Sequence, residues 1–221
     1  QIYDVGYLKN DDCKVEVLEC LKAPNGQHLL HVKILDGVLY QGNEVLTHVM
    51  QDRREEIMKH HSSVHLLQKT LQEFLGDNVE QAGSRVDDES FRFDFTYHGR
   101  LSDEHIMRIE EKVNEKVKAD YEVKVEYMSL EEAKKKGAMA LFEDKYGDVV
   151  RVVTMGESVE LCGGTHVPNT GMIDRIAILS VENKGADTFR IEGTTINHIN
   201  EMLHKAVDPY QEEIMKILTK V

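Results

Sequence analysis

The order of apolar and polar residues divides the chain into a strand-rich beginning, one long helix and a mixed remainder. Before residue 51, short runs with a period of two predict strands at Lys14–Glu19, Leu29–Leu35 and Val45–Val49. Turn residues follow the first of these strands at Pro24–Gly26 and the second at Asp36–Gly37. Short strands with regular turns indicate a small barrel-like unit.

The longest amphipathic stretch extends from Asp52 to Gly76. Its apolar positions recur at helical spacing, at Ile57, Val64, Leu67, Leu71 and Leu75. Acidic residues stand near its start, and glycine is a common residue just after a helix end. The pattern therefore predicts one long helix over this stretch.

Strands and helices follow one another without an internal repeat in the rest of the chain. Strands are predicted at 79–86, 90–96, 123–127, 148–154, 158–161, 175–181 and 188–192, the second with Phe91, Phe93 and Phe95 on a core face. Helices are predicted at 102–119 with Ser102 as N-cap, at 129–133 with Ser129 and Glu132 as a capping-box pair, and from about Thr195 with an interruption near Pro209.

The predicted fold class is α+β. A barrel-like subdomain covers 1–50, an α/β domain with an antiparallel sheet and packed helices covers 51–194, and a C-terminal helical segment covers 195–221.

Two pairs of potential metal ligands have the same spacing. His61 and His65 lie four apart on the predicted helix and share a face, whereas His60 points elsewhere. Cys162 and His166 flank two glycines and a threonine, which indicates a tight turn. Thiolate and imidazole are zinc ligands, so the two pairs predict one zinc site. Three histidines in the N-terminal strands are expected to face solvent: His28, His31 and His48.

The composition indicates which cellular compartment and which kinds of partner are expected for the protein. The chain has 221 residues and no apolar run that approaches a membrane span, so no membrane partner is expected. Cys13, Cys20 and Cys162 are an odd number without a disulfide pattern, which favours a reducing, cytoplasmic setting. The net charge of −13 argues against a general nucleic-acid binder with a basic face. Any RNA contact must be local, or another part of a larger protein must supply affinity.

Several segments together carry a family resemblance. They are the motif residues within Asp52–Leu67, then Gln81–Ser84, Arg92–Phe95, Gly137–Gly147, Glu160–Val167 and Arg190–Glu192. In this order they resemble the internal editing region of bacterial alanyl-tRNA synthetases over nearly the whole chain. Free-standing trans-editing proteins share the core but generally lack the segment 137–147. Threonyl-tRNA synthetases have a related domain, usually with proline where Thr165 stands here.

The resemblance implies an activity, a cofactor and partners. The parent enzyme joins alanine to its tRNA using ATP, and the editing region hydrolyses tRNA(Ala) mischarged with serine or glycine. The implied cofactor is zinc. The implied partners are the tRNA(Ala) acceptor end, mischarged Ser-tRNA or Gly-tRNA and the remainder of the synthetase. The resemblance also places Gln1 inside a Gly-Gly-Gln element of the barrel, so earlier strands are expected to precede it.

The resemblance also implies site residues. The metal ligands are His61, His65, Cys162 and His166, the catalytic residues Gln81 and Thr165, and the substrate-binding residues Gln81, Ser84, Gly163, Gly164 and Arg190. The backbone of the glycine turn can donate N–H groups to a developing oxyanion. Two departures from the family pattern stand close to these residues. Val64 replaces a frequent threonine, and Phe189 replaces the first of two frequent arginines.

The sequence is compatible with more than one role for the metal and with more than one function. Four protein ligands fill a tetrahedral site, so one ligand is loose, the metal becomes five-coordinate, or the zinc only positions the substrate. The alternative functions are an acceptor-end binding module with a structural zinc, a free-standing trans-editing protein, and a spacer with a degenerate site.

Overall fold

The computed structural model describes residues 1–76, 78–139, 148–207 and 210. Its strands are β1 Gly6–Lys9, β2 Cys13–Lys22, β3 His28–Gly37, β4 Leu46–Val49, β5 Glu80–Val86, β6 Phe91–Thr96, β7 Val123–Ser129, β8 Val149–Met155, β9 Ser158–Leu161, β10 Ile176–Gly185 and β11 Thr188–Thr195. Its α-helices are α1 Gln51–Leu75, α2 Asp103–Lys118, α3 Leu130–Lys135 and α4 Ile196–Val207. The strands pair in antiparallel sheets, so the predicted α+β class is confirmed.

The N-terminal strands form one four-stranded sheet in the order β3–β2–β1–β4. The predicted strands β2, β3 and β4 are present, whereas β1 is only four residues long and its pattern was too short to predict. Within the described residues this sheet is open, so the unit is barrel-like without closing into a barrel. His28, His31 and His48 are exposed as expected.

The core lies between α1 and a second sheet in the order β10–β11–β6–β5. The apolar stripe of α1 is buried at Ile57, Leu67 and Leu71, each 0% exposed. The predicted core face of β6 is confirmed, because Phe91, Phe93 and Phe95 are at most 1% exposed. This packing fixes the face of α1 that carries His61 and His65. One end of that face reaches the third sheet.

Two further helices begin at the predicted caps. The Ser102 hydroxyl accepts from the backbone N–H of His105, at 3.2 Å, and opens α2. Ser129 and Glu132 form the predicted capping box of α3. The side chain of Asn114 on α2 bonds both the N–H and the carbonyl of Ile176, at 2.8 Å each, which fastens the helix to β10. Local side-chain chemistry therefore determines where these helices start.

The third sheet has the order β7–β8–β9 and leads directly into the cysteine turn. A short 3-10 turn at Thr170–Ile173, which the pattern did not predict, packs against α1 and α2. Residues 140–147 of the resemblance segment and the interruption near Pro209 lie outside the described residues. The helix predicted after Thr195 is present as α4. None of the helices in the described ranges is long and apolar enough to cross a membrane.

Candidate metal centre and adjoining cleft

The four predicted metal ligands converge on one point. His61 and His65 project from α1, and Cys162 and His166 come from the turn after β9. Their ligand atoms all lie within 4.8 Å of one another. The thiol sulfur of Cys162 is 3.5 Å from Nε2 of His61 and 3.3 Å from Nε2 of His166. His60 is not part of this cluster, because its ring bonds the carbonyl of Asp87.

His65 is held by a buried carboxylate that the sequence interpretation did not assign. Nδ1 of His65 lies 2.8 Å from Oε2 of Glu160, and Glu160 is only 4% exposed. The hydroxyl of Ser158 donates to the other oxygen of Glu160 at 2.9 Å. The remaining nitrogen, Nε2 of His65, is buried and has no hydrogen-bond partner in the described part of the chain. A carboxylate that orients an imidazole in this way is a common support for a metal ligand.

The other two histidines also have an oxygen partner on Nδ1. Nδ1 of His166 is 3.3 Å from the hydroxyl oxygen of Ser62, a buried residue of α1. Nδ1 of His61 is 2.8 Å from the side-chain oxygen of Gln1. When the proton of a neutral imidazole is on Nδ1, the lone pair of Nε2 is free to bind a metal. The sequence carries no signal for Glu160 and Ser62, because the burial of these two polar residues beside the histidines appears only in the fold.

Electrostatics within the cluster favour a thiolate. Burial raises the pKa of Cys162, but hydrogen bonds from His166 and His61 outweigh this effect and lower the pKa to about 2. Burial lowers the pKa of His166 to about 4 and is the main cause of the lowered pKa of His61. Burial also acts to lower the pKa of His65, yet the charge of Glu160 raises it to about 10. A thiolate with two neutral imidazoles and one unpartnered buried nitrogen fits a zinc ion.

The glycine turn approaches the helix closely. A Cβ added to Gly164 would lie 2.0 Å from Cε1 of His61, whereas one added to Gly163 would meet no described atom within 4 Å. Nη1 of Arg151 donates to the carbonyls of Cys162 and Gly164, at 2.6 and 2.9 Å, and holds the turn from the β8 side. The sequence interpretation assigned no role to Arg151.

Two of the three backbone N–H groups in this turn already have partners. Gly164 donates to the sulfur of Cys162 at 3.4 Å, and Thr165 donates to the side-chain oxygen of Gln1 at 2.9 Å. The hydroxyl of Thr165 accepts from the side-chain amide of Gln1 at 2.9 Å. The N–H of Gly163 has no hydrogen-bond partner among the residues that the structure describes. Of the three N–H groups predicted for an oxyanion, this one is available.

A cleft of about 700 Å³ opens beside the cluster. Three of the four ligands, His61, His65 and Cys162, line it together with both glycines, whereas His166 does not. Cys20, Leu21 and Lys22 of β2 line it as well. Gln81 and Ser84 line it from β5, where the side-chain amide of Gln81 donates to the hydroxyl of Ser84 at 3.0 Å. The predicted ligands, the glycines, Gln81 and Ser84 are therefore brought together.

Arg190 is a predicted site residue that the fold places away from the metal-ligand cluster, on the other face of the sheet. Its guanidinium donates to both carboxylate oxygens of Asp94, at 2.8 Å each, and lowers the pKa of Asp94. Arg190 and Asp94 face away from the buried rings of β6 and β11, and neither lines the cleft. Phe189, one of the two departures, is 7% exposed and packs on Phe95 at 5.9 Å between ring centroids. Val64, the other departure, lines the cleft.

Comparisons with known proteins agree with the resemblance. A family model described as the threonyl and alanyl tRNA synthetase second additional domain matches residues 150–192. The alanine–tRNA ligase of Bacillus cytotoxicus is 43% identical over 220 residues, 99% of this chain and 25% of that relative. The alanine–tRNA ligase of Lysinibacillus sphaericus is 46% identical over 196 residues, 88% of this chain and 22% of that relative. The chain thus spans about a quarter of the length of these curated relatives.

Proposed function

We infer the function from the premise that this chain is related to alanine–tRNA ligases over nearly its whole length. We propose that it is an editing region that hydrolyses the ester linking serine or glycine to tRNA(Ala). The parent enzyme attaches alanine to tRNA(Ala) with ATP in this proposal. The observation that carries it is the meeting of four metal-ligand side chains, three of which line a cleft that also holds the polar residues Gln81 and Ser84.

Such a second site has a physical reason. A pocket that accepts alanine gains only about 1–3 kcal/mol from one methylene, so it discriminates weakly against amino acids of similar size. Mischarged products must then be removed after transfer to tRNA. The cleft is large enough to admit the aminoacyl end of a nucleotide, at about 700 Å³.

The proposed cofactor is one zinc ion, held by His61, His65, Cys162 and His166. When bound, zinc acts as a Lewis acid on a carbonyl or a water molecule. The chain itself supplies a preformed thiolate at Cys162 and three imidazoles whose Nδ1 atoms are occupied. Glu160 and Ser62 keep two of these rings oriented.

The turn supports stabilisation of charge on the ester oxygen. Gly163 lines the cleft and carries the available N–H, so it is the proposed donor to the developing oxyanion. Arg151 holds the carbonyls on either side of it and thereby keeps the turn in one conformation. Thr165 does not line the cleft itself, but its hydroxyl accepts from the side chain of Gln1, which does, and it retains a proton to donate, so Thr165 is the second proposed contributor.

The cleft also supports one orientation of the substrate. Gln81 and Ser84 offer amide and hydroxyl groups to the amino group or hydroxyl of the aminoacyl moiety. Lys22 of β2 also lines the cleft and has no acidic partner in the described part of the chain, so we place a phosphate of the acceptor end there. With a net charge of −13, the chain needs the remainder of the synthetase for tight tRNA binding.

Deacylation tests the proposal directly. Purified chain, loaded with zinc, is mixed with Ser-tRNA(Ala), Gly-tRNA(Ala) and Ala-tRNA(Ala), with and without a chelator. We expect hydrolysis of the first two substrates, loss of hydrolysis with chelator, and recovery on adding zinc. Cys162→Ala is expected to lose zinc and activity together, whereas Cys13→Ala, in β2 and outside the cluster, serves as the control. Hydrolysis that is indifferent to zinc content would contradict the proposed role of the cluster.

A second candidate is an acceptor-end binding module in which zinc is structural. The observation that favours it is the complete set of four protein ligands, which is typical of closed structural sites. This candidate predicts zinc content and tRNA binding with no deacylation by the zinc-loaded chain. The same assay therefore separates the two.

A further inference from the structure

A buried amide, the side chain of Gln68, lies beside the cluster. Gln68 lies on α1 one turn after His65 and lines the same cleft. It is 1% exposed, and its side-chain oxygen Oε1 has no hydrogen-bond partner among the described residues. Within the described ranges, its nitrogen Nε2 donates to the thioether sulfur of Met139 alone, which is a weak acceptor.

This arrangement costs folding free energy. A carbonyl oxygen that leaves water without a new partner retains its full desolvation penalty, and such atoms are rare in native proteins. An apolar side chain would avoid the penalty, as Leu67 and Leu71 do on the same helix. Gln72, one turn further along α1, differs from Gln68 in two ways. Its side-chain amide donates to the carbonyl of Val79, and the residue does not line the cleft. An unpaired polar group at a cleft is therefore a candidate for binding a ligand.

We propose that Oε1 of Gln68 accepts a hydrogen bond from the hydroxyl of a seryl group bound in the cleft. The proposal rests on the proposed function and identifies Gln68 as a residue that determines specificity. Gln68 is the most deeply buried of the cleft's amide side chains, so only a small terminal group can reach it. A neutral hydroxyl is desolvated at lower cost than an ammonium group, which favours the side chain of serine over its amino group.

The consequence is a preference that the metal cluster alone does not provide. Serine gains a hydrogen bond at Gln68 that neither alanine nor glycine can make. A site that pairs a buried polar group with a substrate hydroxyl discriminates well against analogues that lack it. Gln68 would thus add selectivity for seryl esters to a centre whose zinc ligands treat all aminoacyl esters alike.

The test uses binding, so that it does not depend on hydrolysis. The probes are 3′-amino-3′-deoxyadenosine carrying serine or glycine in a non-hydrolysable amide link, with dissociation constants measured by calorimetry on the zinc-loaded chain. We expect Gln68→Met to weaken binding of the seryl probe by about 3- to 10-fold, the value of one neutral hydrogen bond, and to leave the glycyl probe unchanged. Zinc content should stay the same, and the melting temperature should be equal or higher, because the unpaired oxygen is gone.

Gln72→Met is the matched control, since it removes the same group from the next turn of the helix. It is expected to lower the melting temperature, because the Val79 carbonyl loses a donor, and to leave the ratio of the two dissociation constants unchanged. The proposal is overturned if Gln68→Met leaves the seryl-to-glycyl ratio as in the wild type, or if it lowers the melting temperature and weakens both probes equally. A seryl preference in a chain that hydrolyses neither ester would support Gln68 and reject the proposed hydrolysis.

Discussion

Gly164 and His61 are so close that a Cβ on the glycine would lie 2.0 Å from Cε1 of the imidazole. The cysteine turn therefore meets the histidine helix at a distance that only glycine allows. This contact also brings the N–H of Thr165 and the ring of His61 to the same oxygen of Gln1, at 2.9 and 2.8 Å. The cluster depends on the backbone of the turn as much as on its ligands.

The first prediction concerns the two glycines of the turn. Gly164→Ala is expected to displace His61 and to weaken zinc binding by about 10- to 100-fold, the range found when a group that orients a ligand is lost. Gly163→Ala is the control, because its added methyl group meets no described atom within 4 Å. Competition with a chromophoric chelator measures both affinities. Equal affinities for the two variants would show that the close approach has no bearing on the metal.

The second prediction concerns the carboxylate behind His65. Glu160→Gln keeps the size of the side chain but removes the charge that raises the pKa of His65. We expect zinc affinity to fall by about 10- to 100-fold. Glu126→Gln removes an equal charge from an exposed ion pair with Lys136 and should not change the affinity. The idea fails if both variants bind zinc as the wild type does.

The third prediction concerns Gln81. Gln81→Ala is expected to keep zinc, because Gln81 is not one of the four ligands and its side chain donates to Ser84. The ratio of Ser-tRNA to Ala-tRNA hydrolysis should fall by about 3- to 10-fold through loss of one hydrogen bond to the substrate. Single-turnover rates on both substrates measure it. An unchanged ratio with an unchanged rate would assign Gln81 to the scaffold.

The fourth prediction concerns the phosphate contact on β2. Binding of tRNA to the isolated chain should be weak and should depend on salt. Lys22→Gln is expected to reduce the slope of log affinity against log salt by about 0.7, the value for one phosphate of a single strand. Lys33→Gln, an exposed lysine of β3 outside the cleft, loses the same charge and should keep the slope. Identical slopes for the two variants would remove Lys22 from the binding site.

The fifth prediction concerns acid stability and Arg190. Arg190 lowers the pKa of Asp94, so the pair stabilises the fold above the ordinary aspartate pKa of about 3.9, and this contribution is lost as pH falls through the lowered value. Arg190→Gln should therefore lower the melting temperature most above about pH 4, with a difference that shrinks in stronger acid.

The control for Arg190→Gln is Arg175→Gln, which breaks a long ion pair with Glu110 at 3.7 Å. Its effect on the melting temperature should be smaller. Zinc affinity should stay as in the wild type, since Arg190 does not line the cleft. A loss of substrate discrimination in Arg190→Gln with unchanged stability would instead restore its predicted role in substrate binding.

Sequence alone determined the features that depend on near neighbours. A spacing of four on a helix places His61 and His65 on one face whatever the rest of the chain does. The alternation of Phe91, Phe93 and Phe95 likewise predicted their burial, and a local capping box fixed the start of α3. These signals are readable because their periods and hydrogen bonds lie within a few residues.

Tertiary structure decided which polar groups support the site. Glu160 reaches His65, and Gln1 reaches His61, only because three separate elements pack together. Residues three apart on a regular strand face opposite sides, so strand periodicity would separate Gln81 from Ser84. An irregularity between Gln81 and Gly83 changes the register, and both residues then pair with phenylalanines of β6 on the face toward the cleft.

The alternation of side chains along β11 also places Arg190 on the face of the sheet away from the site. Its neighbours Phe189 and Ile191 are buried in the core, so its own side chain must emerge on the other face of the sheet, beside Asp94. The sequence contained both the arginine and its neighbours. Which face of the sheet would border the cleft was settled only when α1 packed on one side of it, because burial of the apolar face against the helix leaves the charged face to water.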